Sequence, residues 1–167
     1  MISGEALRGW IVSLAFDKQG NLWACNQQKG VVGFASSDLK ASGSPTPVAS
    51  LARGRMWMSI AFDSRGDLWL ADFLNGRLVV YAPGELAKPS GSTPSWVIYD
   101  YDGRLFAPMG LAFDNRGRLW AVGQNVVVYS PEQLLVTGAP APICSFTELG
   151  TFTLAFDPAP AELPIYP

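Results

Sequence analysis

A four-residue segment recurs four times along this chain of 167 residues, and it constrains the fold more than any other feature. The segment is an aliphatic residue followed by Ala, Phe and Asp. Its aspartates occupy positions 17, 63, 114 and 157, which are 46, 51 and 43 residues apart. This period is close to the length of one four-stranded propeller blade. The repetition therefore predicts successive copies of one small sheet, which must stack on one another to bury their faces.

The first three copies continue with the signature of a β-hairpin. Each runs on as Asp-x-x-Gly-x-Leu-Trp and ends at Trp23, Trp69 or Trp120. An Asp at the start of a turn accepts hydrogen bonds from the backbone ahead of it, and the Gly supplies a positive φ. Apolar and polar residues alternate before the turn, as they do in half-buried strands. Each copy is therefore predicted to begin with two antiparallel strands.

Two further strands and one short helical turn are predicted in each copy. The third strand is rich in β-branched and aromatic residues, which fit a pleated sheet. The helical turn begins where Ser or Pro precedes an acidic residue and a Leu. A link rich in Gly and Pro then leads to the fourth strand. Third strands are predicted at 31–34, 78–81 and 126–129, helical turns at 36–39, 83–86 and 131–134, and fourth strands at 48–51, 96–99 and 143–146.

The predicted fold class is all-β, a partial β-propeller with three complete four-stranded antiparallel blades and incomplete terminal pieces. Propellers have about four to eight blades, so three blades do not close a ring. Residues 2–4 align with a fourth strand and 151–157 with a first strand, so the chain is expected to begin and end within a blade. It is a fragment of a longer propeller, a subunit that closes a ring with a second copy, or an open arc. Self-association into a dimer is the working hypothesis, with six blades, or eight if the terminal pieces combine. Within a single domain of residues 1–167, the predicted parts are an outer strand of a preceding blade (1–9), blade 1 (10–51), blade 2 (52–99), blade 3 (100–147) and the start of blade 4 (148–167).

The repeat resembles the NHL-type β-propellers, in the broad group that also contains the gluconolactonase and streptogramin-lyase propellers. Blade 2 carries the resemblance best, because Ala71 and Asp72 are followed by Asn75 and Arg77 before the third strand. Blades 1 and 3 depart from this pattern, since neither has the Ala-Asp pair or the Arg. The resemblance covers residues 11–157 and implies the propeller fold. It does not single out a function, because propellers of this kind bind ligands, serve as scaffolds or catalyse reactions.

Large aromatic residues of the repeat are predicted to fill the space between neighbouring blades. The Phe of each motif lies on the first strand and the Trp on the second, and one blade alone cannot bury both of its faces. The predicted core aromatics are Phe16, Phe62, Phe113 and Phe156 with Trp23, Trp69 and Trp120.

Composition narrows the classes of partner and chemistry. The net charge of −2 provides no basic field for nucleic acid, and no apolar run is long enough to span a bilayer. The absence of His excludes a His-containing catalytic triad and most zinc sites. Cys25 and Cys144 are interpreted as two free, half-buried thiols. No secretory leader is expected in the first ten residues, and the compartment stays open.

The turns after the second strands and the links between blades are predicted to share one face, and their residues vary between copies as a recognition surface does. Amide, Arg and aromatic side chains there suit a small polar organic ligand or a protein partner's peptide. Each residue also has a structural interpretation: an Asp72–Arg77 ion pair, Asn side chains in turns and solvated arginines. The predicted ligand-binding residues are Asn26, Gln28, Arg55, Trp57, Asp72, Asn75, Arg77, Tyr101, Arg104, Gln124 and Asn125.

The predicted function is a non-catalytic binding or scaffold module, with no cofactor. The alternative is a divalent-metal-dependent hydrolase or lactonase. The gluconolactonase resemblance implies a divalent cation held by acidic and amide side chains at the central channel, where Asp72 with Asn26 or Asn125 would contribute oxygen ligands. The streptogramin-lyase resemblance implies a catalytic His, which this chain lacks.

Overall fold

A computed structural model describes residues 5–40, 42–88, 92–135, 137–147 and 153–154. These residues form three four-stranded antiparallel sheets, and each sheet consists of four consecutive strands. The first strands of neighbouring sheets contact one another, so the sheets stand side by side as blades. The predicted all-β partial propeller of three four-stranded blades is confirmed.

The strands fall within the predicted repeats. Between the third and fourth strands each blade carries one short helix, as predicted. Blade 1 contains β1 (Ile11–Phe16), β2 (Leu22–Asn26), β3 (Gly30–Phe34) and β4 (Ala49–Leu51), with a 3-10 helix at Ser36–Leu39. Blade 2 contains β5 (Trp57–Phe62), β6 (Leu68–Asp72), β7 (Arg77–Tyr81) and β8 (Trp96–Tyr99), with α1 at Pro83–Leu86. Blade 3 contains β9 (Gly110–Phe113), β10 (Leu119–Val122), β11 (Val126–Tyr129) and β12 (Cys144–Phe146), with a 3-10 helix at Pro131–Leu134.

The aspartate turn between the first and second strands has the predicted geometry. Asp17 Oδ1 accepts hydrogen bonds from the backbone amides of Gln19 and Asn21, at 3.0 and 2.9 Å. Gly20 has a φ of 77°, and its counterparts in blades 2 and 3 have φ values of 90° and 73°. These left-handed conformations favour glycine, which explains the fixed spacing from Asp to Gly. The same carboxylate also accepts the indole N–H of Trp23 through Oδ2, at 3.0 Å.

Neighbouring blades are joined by an edge-to-face contact between a Trp and the next blade's Phe. The ring centroids of Trp23 and Phe62 are 6.0 Å apart with an interplanar angle of 65°. Those of Trp69 and Phe113 are 5.8 Å apart at 69°. This orientation places the ring edge of one aromatic against the face of the other, which is favourable. The prediction that these aromatics pack between blades is confirmed at both junctions, while Phe156 lies outside the described residues.

Phe16 is the exception, because its side chain is 63% exposed. The prediction that it belongs to the core is wrong. Ser13, on the same strand, accepts a hydrogen bond from blade 2, and side chains alternate along a strand, so Phe16 points away from that blade. Among the described residues, no Trp packs against Phe16 in the way that Trp23 packs against Phe62.

The segment before β1 covers part of the same side of blade 1. The predicted outer strand at 1–9 depends on residues 2–4, which lie outside the described residues. Within the rest of the segment, Glu5–Leu7 form a 3-10 helix. Ala6 and Leu7 pack against buried Ala24, Val32 and Phe34. Of the predicted start of blade 4, only 153–154 are described.

Both cysteines are free thiols, but their environments differ. Cys25 is buried and Cys144 exposed, which corrects the expectation that both are half-buried. Burial raises the pKa of the Cys25 thiol to about 12. Among the described residues, no helix has the length and apolar character needed to cross a membrane.

Candidate functional site

The turns from the second to the third strands and the links between blades lie at the same ends of the sheets. In blade 2 the turn is 73–76, and the link from blade 2 to blade 3 is 100–109. This surface is called the loop face below. It carries the predicted ligand-binding residues, which the structure sorts into buried structural residues and exposed ones.

Asp72 is the centre of a hydrogen-bonded cluster at the end of β6. Its side chain is completely buried, and both carboxylate oxygens accept from Asn75 Nδ2 at 2.9 Å. Arg77 Nε donates to Oδ2 at 2.9 Å, and Arg55 Nη1 lies 3.5 Å from the same oxygen. A buried carboxylate requires such partners. Four predicted residues are therefore brought together, and Asp72 itself is engaged by protein groups.

Asn26 has a structural role at the corresponding place in blade 1. It is buried, and its Nδ2 donates to the carbonyl oxygen of Arg8 at 2.8 Å. Its Oδ1 accepts from the backbone amides of Gln28 and Lys29, at 2.9 and 3.1 Å. The side chain thus ties the N-terminal segment to the β2–β3 turn. The side chain of Gln28 is exposed nearby.

Trp57 does not belong to the ligand-binding surface. Its side chain is 1% exposed, and its indole N–H donates to the carbonyl oxygen of Ala52 at 2.5 Å. The ring lies in the core between blades 1 and 2. The prediction of Trp57 as a ligand contact is therefore wrong, because β5 begins at this residue and turns its side chain inward.

The remaining predicted residues lie on the link between blades 2 and 3 and on the turn beside it. Tyr101 is highly exposed and stacks on Tyr99, with ring centroids 5.7 Å apart. Arg104 Nη2 lies 3.4 Å from Asp102 Oδ2, and the carbonyl oxygen of Arg104 accepts from Asn125 Nδ2 at 3.1 Å. The link is thereby fastened to blade 3. The exposed Gln124 is held there through its backbone amide, which donates to Phe106 O at 3.2 Å.

A cleft of about 520 Å³ opens where the 73–76 turn faces this link. Leu74 is 67% exposed and Phe106 is 55% exposed, so apolar side chains stand at its rim. Asp100 lines the cleft, and its Oδ2 accepts from the backbone amide of Leu105 at 2.5 Å. The volume falls within the range of small-molecule sites. The lining residues are Phe73, Leu74, Asn75, Gly76, Asp100, Gly103, Leu105, Phe106 and Ala107.

The cleft contains one of the predicted ligand-binding residues, Asn75. Its principal apolar residues, Leu74 and Leu105, escaped the sequence analysis because they lie on separate loops with no shared periodicity. A large apolar residue exposed in a turn, as at Leu74, is the signal that marks such a place.

The backbone of the link is held rigidly over blade 3. A Cβ built on Gly123 would lie 2.2 Å from the carbonyl oxygen of Phe106 and 2.7 Å from that of Ala107. Ala107 itself has a φ of 50°. Only a glycine permits this approach. The wall of the cleft that carries Phe106 is therefore fixed by backbone packing.

The predicted oxygen ligands for a divalent cation are occupied by protein groups. The Asp72 oxygens accept from Asn75 and Arg77, and the Asn26 amide is bonded to backbone. The part of the chain that the structure describes contains no group of three or more Cys, Asp or Glu residues placed to hold a metal ion. Calcium requires six to eight oxygen ligands.

The opposite face carries the aspartate turns and two clefts that are repeat equivalents of each other. One lies between blades 1 and 2 and the other between blades 2 and 3. Burial raises the pKa of Asp67 there, and the carboxylate of Asp63 raises it further, against hydrogen bonds from Arg65. At the corresponding turn, burial raises the pKa of Asp17, but hydrogen bonds led by those from Trp23 and Asn21 lower it overall. These charged groups hold the turns together.

Comparison with known proteins identifies the fold. No family model and no curated protein matches the chain. Similar solved structures include virginiamycin B lyase from Staphylococcus aureus, at 12% identity and a TM-score of 0.52, with 73% of this chain and 38% of the lyase covered. Kuenenia stuttgartiensis hydrazine synthase is similar at 12% identity and a TM-score of 0.63, with 86% of this chain and 38% of that chain covered.

A third similar structure is the extracellular domain of the putative one-component system BT4673 from B. thetaiotaomicron. It has 18% identity and a TM-score of 0.59, with 79% of this chain and 18% of that chain covered. The chain thus spans less than two fifths of the length of each of these proteins. At such identities the similarity establishes a propeller-like fold.

Proposed function

We propose that this chain is a non-catalytic binding and scaffold module of an NHL-type propeller. Its loop-face cleft would bind a peptide or a small organic molecule that presents an apolar group next to hydrogen-bonding groups. The cleft between the 73–76 turn and the 100–107 link is the observation that carries this proposal.

The composition of the cleft supports a ligand of mixed polarity. Leu74 and Phe106 offer exposed apolar surface at its rim, while Asp100 and Asn75 supply polar atoms close by. Binding sites for organic ligands combine a mostly apolar wall with a few placed polar groups. Tyr101 extends this surface as an exposed aromatic ring, and Tyr is favoured at recognition sites because it buries a large area at small entropic cost.

The charged groups near the cleft support binding rather than catalysis. Asp72 is saturated by Asn75, Arg77 and Arg55, and Arg104 is paired with Asp102. A general acid or base needs a side chain that can reach the substrate. One similar structure is a catalytically inactive virginiamycin B lyase with quinupristin, in which a histidine is replaced by alanine. This chain has no histidine at all.

The hydrogen bonds of Asp72 also support the NHL assignment. The Ala-Asp, Asn and Arg positions that carry the resemblance in blade 2 are the ones that Asp72 joins to Asn75 and Arg77. The scaffold role includes completion of the ring by a second copy of the chain, through the side of blade 1 that Phe16 leaves exposed.

A nuclear magnetic resonance titration tests the binding role. The ¹⁵N-labelled protein is titrated with a panel of N-acetylated amino-acid amides, aromatic, aliphatic and charged. We expect the aromatic and aliphatic probes to shift the amide signals of 73–76 and 103–107, with dissociation constants on the order of 1 mM, about 4 kcal/mol of binding free energy. Phe106→Ser and Leu74→Ser should weaken binding several-fold.

Leu135→Ser provides the matched control, because Leu135 is also an exposed Leu but lies outside the cleft. Its titration should equal that of the unaltered chain. A panel that shifts no signal in the cleft, or that binds Phe106→Ser as tightly as the unaltered chain, contradicts the proposal.

A further inference from the structure

We infer that the exposed side of blade 1 is a docking surface for a second copy of this chain, with Thr153 of that copy as its hydrogen-bonding partner. This surface, called the first-blade flank, is defined by Leu14 and Phe16 on β1. Their side chains are 58% and 63% exposed. The inference deepens the proposed completion of the ring and does not depend on ligand binding at the loop face.

The internal repeat shows what kind of surface covers such a flank. Ile60 and Leu111 occupy the position of Leu14 in blades 2 and 3, and both are buried. Phe62 and Phe113 occupy the position of Phe16, and each packs edge-on against a Trp of the preceding blade. A flank of this pattern is thus covered twice within the chain, each time by another blade of the same type.

A hydrogen bond accompanies the aromatic contact at both junctions. The backbone amide of Ile60 donates to Ser13 Oγ at 3.2 Å, and that of Leu111 donates to Ser59 Oγ at 3.1 Å. The hydroxyl comes from the residue just before the recurring segment, on the first strand of the preceding blade. At the first-blade flank the amide of Leu14 occupies the donor position.

The repeat contains one further residue of this kind. The residue before the third recurring segment is Gly110, which has no hydroxyl, while the residue before the fourth is Thr153. Thr153 is exposed. By its place in the sequence repeat, its hydroxyl is the counterpart of those of Ser13 and Ser59 and would accept from the amide of Leu14 of another molecule. A blade of the same type covers this pattern at both internal junctions, and a second copy would supply such a blade.

The N-terminal segment leaves room for this contact. Ala6 and Leu7 cover β2 and β3 through Ala24, Val32 and Phe34, which are buried. The uncovered part of the flank lies on β1, the first strand, where the other two junctions receive the first strand of their neighbour. An exposed apolar strand of this kind is an association site. A charge of only −2 on each copy offers little repulsion.

Sedimentation velocity over a range of protein concentrations tests the inference. The unaltered chain should approach twice its monomer mass of 18.0 kDa as the concentration rises. Phe16→Lys should raise the dissociation constant at least tenfold, because it would bury a charge at the contact in place of an apolar ring. Thr153→Ala should weaken association, while Thr153→Ser, which keeps the hydroxyl, should preserve it.

Leu135→Lys is the control, since it adds the same charge at another exposed apolar residue, and its association should be unchanged. Thermal unfolding followed by circular dichroism checks that each variant is folded. A monomer at every concentration overturns the inference, as does a dimer that Phe16→Lys leaves intact. The titration of the loop face reports separately on ligand binding, so failure of the dimer contact and failure of the binding role are distinguishable.

Discussion

The turn aspartates connect a local turn to the packing between blades. In Asp114, Oδ1 accepts the backbone amides of Arg116 and Arg118 at 3.0 Å, and Oδ2 accepts the indole N–H of Trp120 at 3.1 Å. One carboxylate therefore closes the hairpin and fixes the orientation of the Trp. This explains why Asp, Gly and Trp recur with the same spacing in all three blades.

Replacement of Asp17 by Asn should destabilise the fold by about 1–3 kcal/mol at neutral pH. Asn supplies an NH₂ group where Asp17 Oδ2 accepts from Asn21 and Trp23, so donors face donors. Hydrogen bonds lower the pKa of Asp17 below its ordinary 3.8. Its stabilisation is therefore complete above the unfolded-state pKa and is lost as the pH falls through the lower folded-state pKa.

Urea unfolding at several pH values between about 7 and 3 measures this difference. The gap between the unaltered chain and Asp17→Asn should narrow toward the acid end. Asp38→Asn is the control, because Asp38 is exposed and accepts only from the neighbouring Ser37 in the described contacts. A gap that stays constant with pH would contradict the role assigned to the ionised carboxylate.

Asp67→Asn should stabilise the fold, in contrast to Asp17→Asn, and raise Tm by about 2 °C at neutral pH. Asp67 is buried beside Asp63, and both burial and that carboxylate raise its pKa. The ionised Asp67 therefore lowers the free energy of unfolding. This loss of stability is complete above the folded-state pKa and disappears below the unfolded-state pKa. Asn at this position would donate to Asp63 as Asn21 donates to Asp17 at 2.9 Å.

The reciprocal change tests the same reasoning in blade 1. Asn21→Asp should lower Tm at neutral pH, because it places a second carboxylate beside Asp17. Differential scanning calorimetry near pH 7 and near pH 4 measures both variants. The gain from Asp67→Asn should shrink at the lower pH, and a gain that grows there would refute the assignment.

At the scale of the strands and blades, the Trp to Phe contact is the repeated unit of the interface. Trp69 and Phe113 should show a coupling free energy of about 0.5–1.5 kcal/mol in a double-mutant cycle with Leu at each position. The cycle is measured by urea unfolding. A matched cycle that combines Trp69→Leu with Phe16→Leu should give additive effects, since Phe16 faces away from blade 2. Additive effects of Trp69→Leu and Phe113→Leu would show that the two rings have no coupling free energy, which contradicts this prediction.

The sequence allowed this unit to be predicted because each part is local. The period of the repeat, the alternation of the strands and the Asp-to-Gly spacing of the turns all lie within short windows. Burial depends on neighbours that no window contains. Phe16 has the same motif as Phe62 but is exposed, and Trp57 lies beside a polar link but is buried.

The cleft could not be predicted from the sequence for the same reason. Leu74 and Leu105 come from loops about thirty residues apart, and their approach depends on how blade 2 stands against blade 3. The structural interpretation of Asp72, an ion pair with Arg77 or hydrogen bonds in the turn, is confirmed, although the ion pair lies within blade 2 and not between blades. Its choice as a metal ligand rested on the resemblance and not on partners visible in the sequence.

At the scale of the whole molecule, the proposed binding role without a metal centre makes a prediction about metal addition. A cation that binds only the folded state raises Tm by mass action. Because Asp72 is already engaged by protein groups, we expect no such binding, and addition of Ca²⁺ or Mn²⁺ should leave Tm unchanged. Differential scanning fluorimetry at millimolar metal measures this, with Asp72→Ala as the comparison. A metal-dependent rise in Tm that Asp72→Ala abolishes would favour the hydrolase alternative.

The blades form a series in which each first strand docks on the next through the same amide, hydroxyl and aromatic positions. We infer the first-blade flank to be a junction of this series whose other half comes from a second copy. Hydrogen exchange at single amides distinguishes a covered flank from an open one. Ile60 and Leu111 should be protected in both the unaltered chain and Phe16→Lys, whereas Leu14 should be protected in the unaltered dimer and exchange faster in the variant. Equal exchange of Leu14 in the two proteins would contradict the claim.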